Sequence, residues 1–183
     1  MITNFITADP EYIKDFENGN SDKKAFMDIL KKLPVFSCET FEIIDYILTG
    51  RNADSPMTVF TGEGEILAGR DGEDLLFEWI DFETENNIRY SMREPAVYKN
   101  TEDLKKAVKL SLSVERERFE KNFNFEKMKN EGVFIAGDEQ YVKDNKEEIV
   151  SVSYEDFIKI RKLYYNALNQ GKYVILFYLY DEF

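Results

Sequence analysis

Residues 153–180 comprise an amphipathic helix, a single glycine and an apolar strand, and every other segment has to find a place against that pair. Ser153 with Asp156 three positions on approximates a capping box, and Glu155 and Asp156 suit the positive end of a helix dipole. Phe157, Ile160, Tyr164 and Leu168 recur at three- or four-residue spacing. Ile158, Leu163 and Ala167 widen the stripe, so this helix has one buried side. Gly171 can take the left-handed conformation that ends a helix. Residues 173–180, Tyr-Val-Ile-Leu-Phe-Tyr-Leu-Tyr, are apolar without alternation and rich in β-branched and aromatic side chains. That composition belongs to a strand covered on both faces. It is far too short to cross a bilayer, which needs about 20 apolar residues. The short turn folds the helix back across the sheet, so the strand is expected at the centre with the helix as its cover.

Upstream, residues 2–7 read as a first strand, and Asp9-Pro10 opens a helix striped by Tyr12, Ile13 and Phe16 and stopped by Gly19. A second helix is expected from Ser21, with Phe26, Ile29, Leu30 and Leu33 on one face and Pro34 at its end. A third is expected over 37–48, closed by Gly50, and a short strand over 57–60. Gly62, Gly64, Gly69 and Gly72 read as turns. Residues 75–82 and 88–92 predict a hairpin, since Ile88, Tyr90 and Met92 alternate with Arg89 and Ser91. Asn100 or Thr101 caps a helix with Leu104, Ala107 and Val108 inside and a Glu102–Lys106 pair outside. Ser113 restarts another, with a Glu117–Lys121 pair and with Phe119, Phe123, Phe125 and Met128 inward. Residues 133–135 read as a short strand, and 137–150 are polar without a clear period. The sum is an α+β chain forming a single domain over residues 1–183, with a mixed or antiparallel sheet around a central C-terminal strand covered by helices.

At 183 residues, with 43% hydrophobic and 33% charged content, the chain can bury a real core. Fifteen Phe and eleven Tyr exceed what a minimal core needs, so some tyrosines are expected at a surface that meets a partner. A lone cysteine cannot form an internal disulfide, and no basic-then-apolar leader is present, which points to a cytoplasmic setting. The net charge of −12 argues against nucleic acid or an anionic membrane as partner, because both require a basic face.

Two places in the chain carry a family pattern. Residues 41–50, Phe-Glu-Ile-Ile-Asp-Tyr-Ile-Leu-Thr-Gly, are followed by a loop running from Pro56 to Gly62-Glu63. Further on come Arg118-Phe119-Glu120-Lys121-Asn122-Phe123, then Met128, then the helix–strand unit from Tyr154 to Leu179. In order and spacing these resemble the YfbM-like (DUF1877) family of bacterial proteins. Phe41 stands where that family prefers tryptophan and Asp45 where it often has histidine, so a chemical role of that histidine would be missing here. The resemblance implies an α+β domain and no particular activity.

Residue chemistry excludes several functions outright. Without histidine, neither a Ser-His-Asp nor a Cys-His nucleophile pair can be built, and with one cysteine besides, a structural zinc site is effectively excluded. Cys38 falls near a predicted helix start, where a dipole could lower its pKa, but a small semi-buried residue without a role is the plainer reading. The glycines at 62, 64 and 69 miss phosphate-loop spacing, and no lysine follows them. No catalytic residue, metal ligand or cofactor is assigned.

What stands out is charge. Residues 61–87 contain Glu63, Glu65, Asp71, Glu73, Asp74, Glu78, Asp81, Glu83 and Glu85 against Arg70 alone, −8 of the total −12. Residues 99–131, by contrast, hold nine bases and seven acids. Three readings compete for the acidic segment. It is a set of solvated turns and strand ends; or it presents a negative face to a basic protein, whose encounter it would accelerate; or a few of its carboxylates bind Mg²⁺ or Ca²⁺ or act as an acid/base pair. The leading expectation is a non-enzymatic interaction protein of the immunity or inhibitor kind. It would bind through Glu63, Glu65, Asp71, Glu73, Asp74, Glu83 and Glu85. The alternative is a carboxylate- or metal-dependent enzyme acting on a small molecule.

Overall fold

A computed structural model describes residues 2–17, 32–62, 64–68, 75–80, 87–92, 96–133, 135, 137 and 139–181, with β3, β4 and β5 described by their backbone. The predicted helix from Ser21 lies outside the described residues up to position 31, as do Gly19, Gly69 and Gly72.

Strand β1 (Ile2–Ala8) leads into helix α1 (Pro10–Glu17), and β2 (Val35–Cys38) precedes α2 (Phe41–Thr49). A short helix α3 (Thr58–Thr61) is followed by strands β3 (Glu65–Ala68), β4 (Leu75–Ile80), β5 (Asn87–Met92) and β6 (Ala96–Lys99). Helices α4 (Thr101–Ser111), α5 (Arg116–Asn122), α6 (Phe125–Asn130), α7 (Glu139–Asp144) and α8 (Lys146–Asn169) precede the last strand, β7 (Tyr173–Asp181).

The C-terminal strand is central. Along one flank β7 pairs antiparallel with β1 from Ile2↔Leu179 to Ala8↔Tyr173. Its other flank is shared: β6 takes the first half (Val97↔Leu176 to Lys99↔Val174) and β5 the end (Tyr90↔Asp181, Ser91↔Tyr180). Beyond these lie β2 outside β1, β3 outside β6 and β4 outside β5, all antiparallel. Val174, Ile175, Leu176 and Phe177 are all fully buried, as a strand covered on both sides requires. The period of two sorts them. Phe5, Val174 and Leu176 belong to the core beneath the helices, whereas Ile6, Ala8, Ala96, Ile175 and Phe177 are buried on the opposite face. Ile13 of α1 is buried too but, like that second set, stands apart from the main core.

Helix α8 supplies the cover through Val150, Ser153, Phe157, Ile160, Tyr164 and Ala167, a stripe at helical spacing. Rings interlock beneath it: Phe60 lies 5.1 Å from both Phe157 and Tyr164, and Phe119 5.4 Å from Phe157. The helix begins at Lys146, seven positions before the expected cap. Ser153 is interior and buried, and its hydroxyl donates to the Ile149 carbonyl one turn back at 2.8 Å. The stripe extends upstream through Val150, so packing overrides the local cap signal. The chain leaves α8 through Gly171 in the left-handed region (φ 67°), as predicted.

Other segments also differ from the sequence expectation. Residues 37 and 38, expected to start α2, belong instead to strand β2, because Val35 to Cys38 pair with Ile6 to Thr3 and Phe36 packs 5.9 Å from Phe5. Residues 58–61 are helical, not extended: Ser55 holds the entry through its carbonyl, which accepts from Thr58 N and Oγ1, and the turn delivers Val59 and Phe60 to the core. The single helix expected after Ser113 is two. Asn124 breaks it and caps α6 by accepting from Lys127 N at 3.1 Å. Val133 lies in no strand; its N–H reaches back to the Met128 carbonyl at the end of α6. Strands β3 and β6 have no counterpart in the sequence reading: β3 is a short apolar run between glycines that read as turns, and residues 96–99 carry no assignment there.

Candidate functional site

The described part of the acidic segment, strands β3 and β4, falls on one flank of the sheet. Glu65 begins β3, and Glu78 lies in β4 opposite Arg89 of β5. Among the described residues β3 pairs only with β6 and β4 only with β5, so the segment joins two outermost strands on the same side of β7. Glu63, Asp71, Glu73, Asp74, Asp81, Glu83 and Glu85 lie outside the described residues. Among the described residues, no group of three or more His, Cys, Asp or Glu side chains converges where it could hold a metal ion.

A second site emerges where the two family-like stretches meet. Helix α2 ends at Thr49, and Gly50 turns the chain out with φ 62°. An α-helix leaves its last carbonyls without intrahelical donors. Here Arg118 of α5 donates from Nη2 to the Leu48 carbonyl at 2.7 Å, and Asn122, one turn on, donates from Nδ2 to the Ile47 carbonyl at 3.1 Å. The guanidinium also places positive charge at the negative end of the α2 dipole. Beside this junction opens a cleft of about 570 Å³, walled by the end of α2, the 50–56 loop and the α5–α6 junction. Its ionic lining is Arg118, Lys121 and Lys127 against Asp54 alone. Tyr46 closes the inner side; burial raises its phenol pKa, and the Glu131 carboxylate adds to the shift.

The expected Glu117–Lys121 pair is not formed. Arg116 pairs with Glu120 at 3.0 Å instead, and Lys121 turns toward the cleft. Likewise Lys105, not Lys106, pairs with Glu102, at 2.7 Å.

A third cluster ties α8 to α2. The Thr40 hydroxyl leaves its own helix uncapped and donates to Asp156 Oδ2 at 2.9 Å, while Lys159 donates to Asp156 Oδ1 at 2.7 Å. That bond raises the Lys159 pKa. The Cys38 thiol sits 3.6 Å from Thr40 Oγ1 and 3.9 Å from Asp156 Oδ2. Cys38 is buried at a strand end, not at a helix N-terminus, and desolvation pushes its thiol up to about 11. It is the reverse of an activated cysteine. Sequence reasoning missed the Thr40–Asp156 and Arg118–Leu48 contacts; the only signal for the second was that both its members lay in stretches carrying the family pattern.

Comparison with known proteins agrees with this architecture. Residues 1–177 match a family model described as a domain of unknown function, DUF1877. A solved structure titled as a protein of unknown function, YfbM from Escherichia coli, aligns with a TM-score of 0.68 at 14% identity, covering 97% of this chain and 99% of that one. At that identity the likeness concerns the fold. No match is found among curated proteins.

Proposed function

This chain belongs to the DUF1877 family, and from that premise we propose that it is a non-enzymatic cytoplasmic protein that binds a basic protein partner, in the manner of an immunity or inhibitor protein. The observation that carries the reading is the charge of −8 concentrated in residues 61–87, a segment whose strands β3 and β4 lie outermost on one flank of the sheet. Charge gathered in one stretch of chain would steer a cationic surface toward it over roughly a Debye length, about 8 Å at physiological salt. The absence of histidine from the sequence, which rules out histidine-dependent nucleophile pairs, is consistent with it. No helix among the described residues is long and apolar enough to cross a membrane.

Affinity capture from native lysate at low and high salt tests the reading. A specific basic protein should be retained at low salt, released at high salt, and lost when Glu73, Asp74, Glu83 and Glu85 are changed to Gln or Asn. Recovery of no specific basic partner, or retention indifferent to salt, would overturn it.

A further inference from the structure

We propose that the cleft between the end of α2 and the α5–α6 junction, none of whose lining residues comes from 61–87, binds a small phosphate-bearing anion. Its volume of about 570 Å³ is that of a small-molecule site. In a chain of net charge −12, the cleft lining carries three cations and one carboxylate, with the Glu131 carboxylate near enough to act on Tyr46. Lys121 and Lys127 form no ion pair among the described residues, so their charge is not already neutralised within the protein. Arg118 is held at the wall by its bond to Leu48, leaving the rest of its planar fork to donate. That bond and the one from Asn122 also occupy the helix-end carbonyls, which would otherwise repel an anion.

The amides point the same way. Asn52 accepts the Asp54 N–H on its Oδ1 at 3.0 Å, and Asn124 accepts the Lys127 N–H at 3.1 Å. A backbone N–H can only donate, which fixes both amide orientations and leaves each Nδ2 to donate. A lining of one guanidinium, two ammoniums and two amide donors matches a phosphate dianion, with three acceptor oxygens, better than a single carboxylate.

Calorimetric titration with inorganic phosphate and with phenyl phosphate, at ionic strength held constant with KCl, tests the site, with acetate as the carboxylate arm. Saturable phosphate binding in the millimolar range or tighter is expected, with acetate at least about tenfold weaker. The double variant Lys121→Gln/Lys127→Gln changes only exposed side chains; it should weaken phosphate binding at least about tenfold and leave the melting temperature in place. Three results would each overturn the assignment: no saturable binding, acetate binding as well as phosphate, or full phosphate affinity in the double variant.

Discussion

Arg118 donates a 2.7 Å hydrogen bond to the carbonyl of Leu48, a residue 70 positions earlier in the chain. One charged side chain thereby terminates α2, fixes α5 against it, and forms the wall of the basic cleft. Arg118→Gln should lower stability by about 1–2 kcal/mol, because a charge-assisted bond to a half-buried carbonyl is lost. Arg118→Lys should recover only part of it, since a lone ammonium lacks the planar fork. Urea midpoints of the two variants check both values.

Gly50 sits at the same helix end with φ 62° and open space around the position of a Cβ. No clash opposes Gly50→Ala there, so the cost is conformational: about 1 kcal/mol, set by the left-handed backbone. Gly50→Asn should cost less, because asparagine tolerates that region. If thermal denaturation shows the alanine variant to be as stable as the parent, the end of α2 has rearranged.

Tyr164 is completely buried and donates from its hydroxyl to the Phe60 carbonyl at 2.9 Å, joining α8 to α3. Burial raises its phenol pKa well above the ordinary value. Tyr164→Phe keeps the ring packing against Phe5 and Phe60 but strands that carbonyl, and should cost about 1–3 kcal/mol. Equilibrium unfolding in urea measures it, and an unchanged slope would confirm that only stability has moved.

Cys38 should resist modification. Burial and the nearby Asp156 carboxylate favour the protonated thiol, so alkylation at pH 8 should be slow in the native protein and fast in denaturant. The same shift predicts an alkaline loss of stability. The folded thiol pKa of about 11 lies above the ordinary 9.0, so the unfolded chain releases its proton first as pH rises. The contribution is therefore intact below about pH 9 and lost progressively toward pH 11, on the order of 2 kcal/mol. Cys38→Ser, with no thiol to ionise, should show a shallower alkaline decline in denaturation curves measured at each pH.

Elements with strong local signals are legible in the sequence. Asn100 accepts from the N–H groups of Glu102 and Asp103 as an N-cap should, and the hairpin of β4 and β5 pairs in register from Leu75↔Met92 to Ile80↔Asn87. For two misread elements the decisive contact is distant in sequence. Residues 35–38 are extended because β1 offers them an edge, and 58–61 coil because Phe60 has to reach Phe157 and Tyr164. Of the sites, the acidic segment could be read directly from residue types. The basic cleft could not, since its cations are scattered among balanced charges in 99–131 and gain meaning only beside the end of α2.

Composition and periodicity alone determined that this chain forms an α+β fold around a doubly covered C-terminal strand, that no histidine-based chemistry is available, and that most of its negative charge lies in one stretch. Those properties follow from residue identity and nearest-neighbour spacing, which any reading of the chain can count. Only tertiary structure decided that β7 divides one flank between β5 and β6, that Thr40 gives its hydroxyl to Asp156 rather than to its own helix, and that Arg118 closes α2. Each is a choice among partners of similar local merit, settled by which groups the packed core brings within hydrogen-bonding distance.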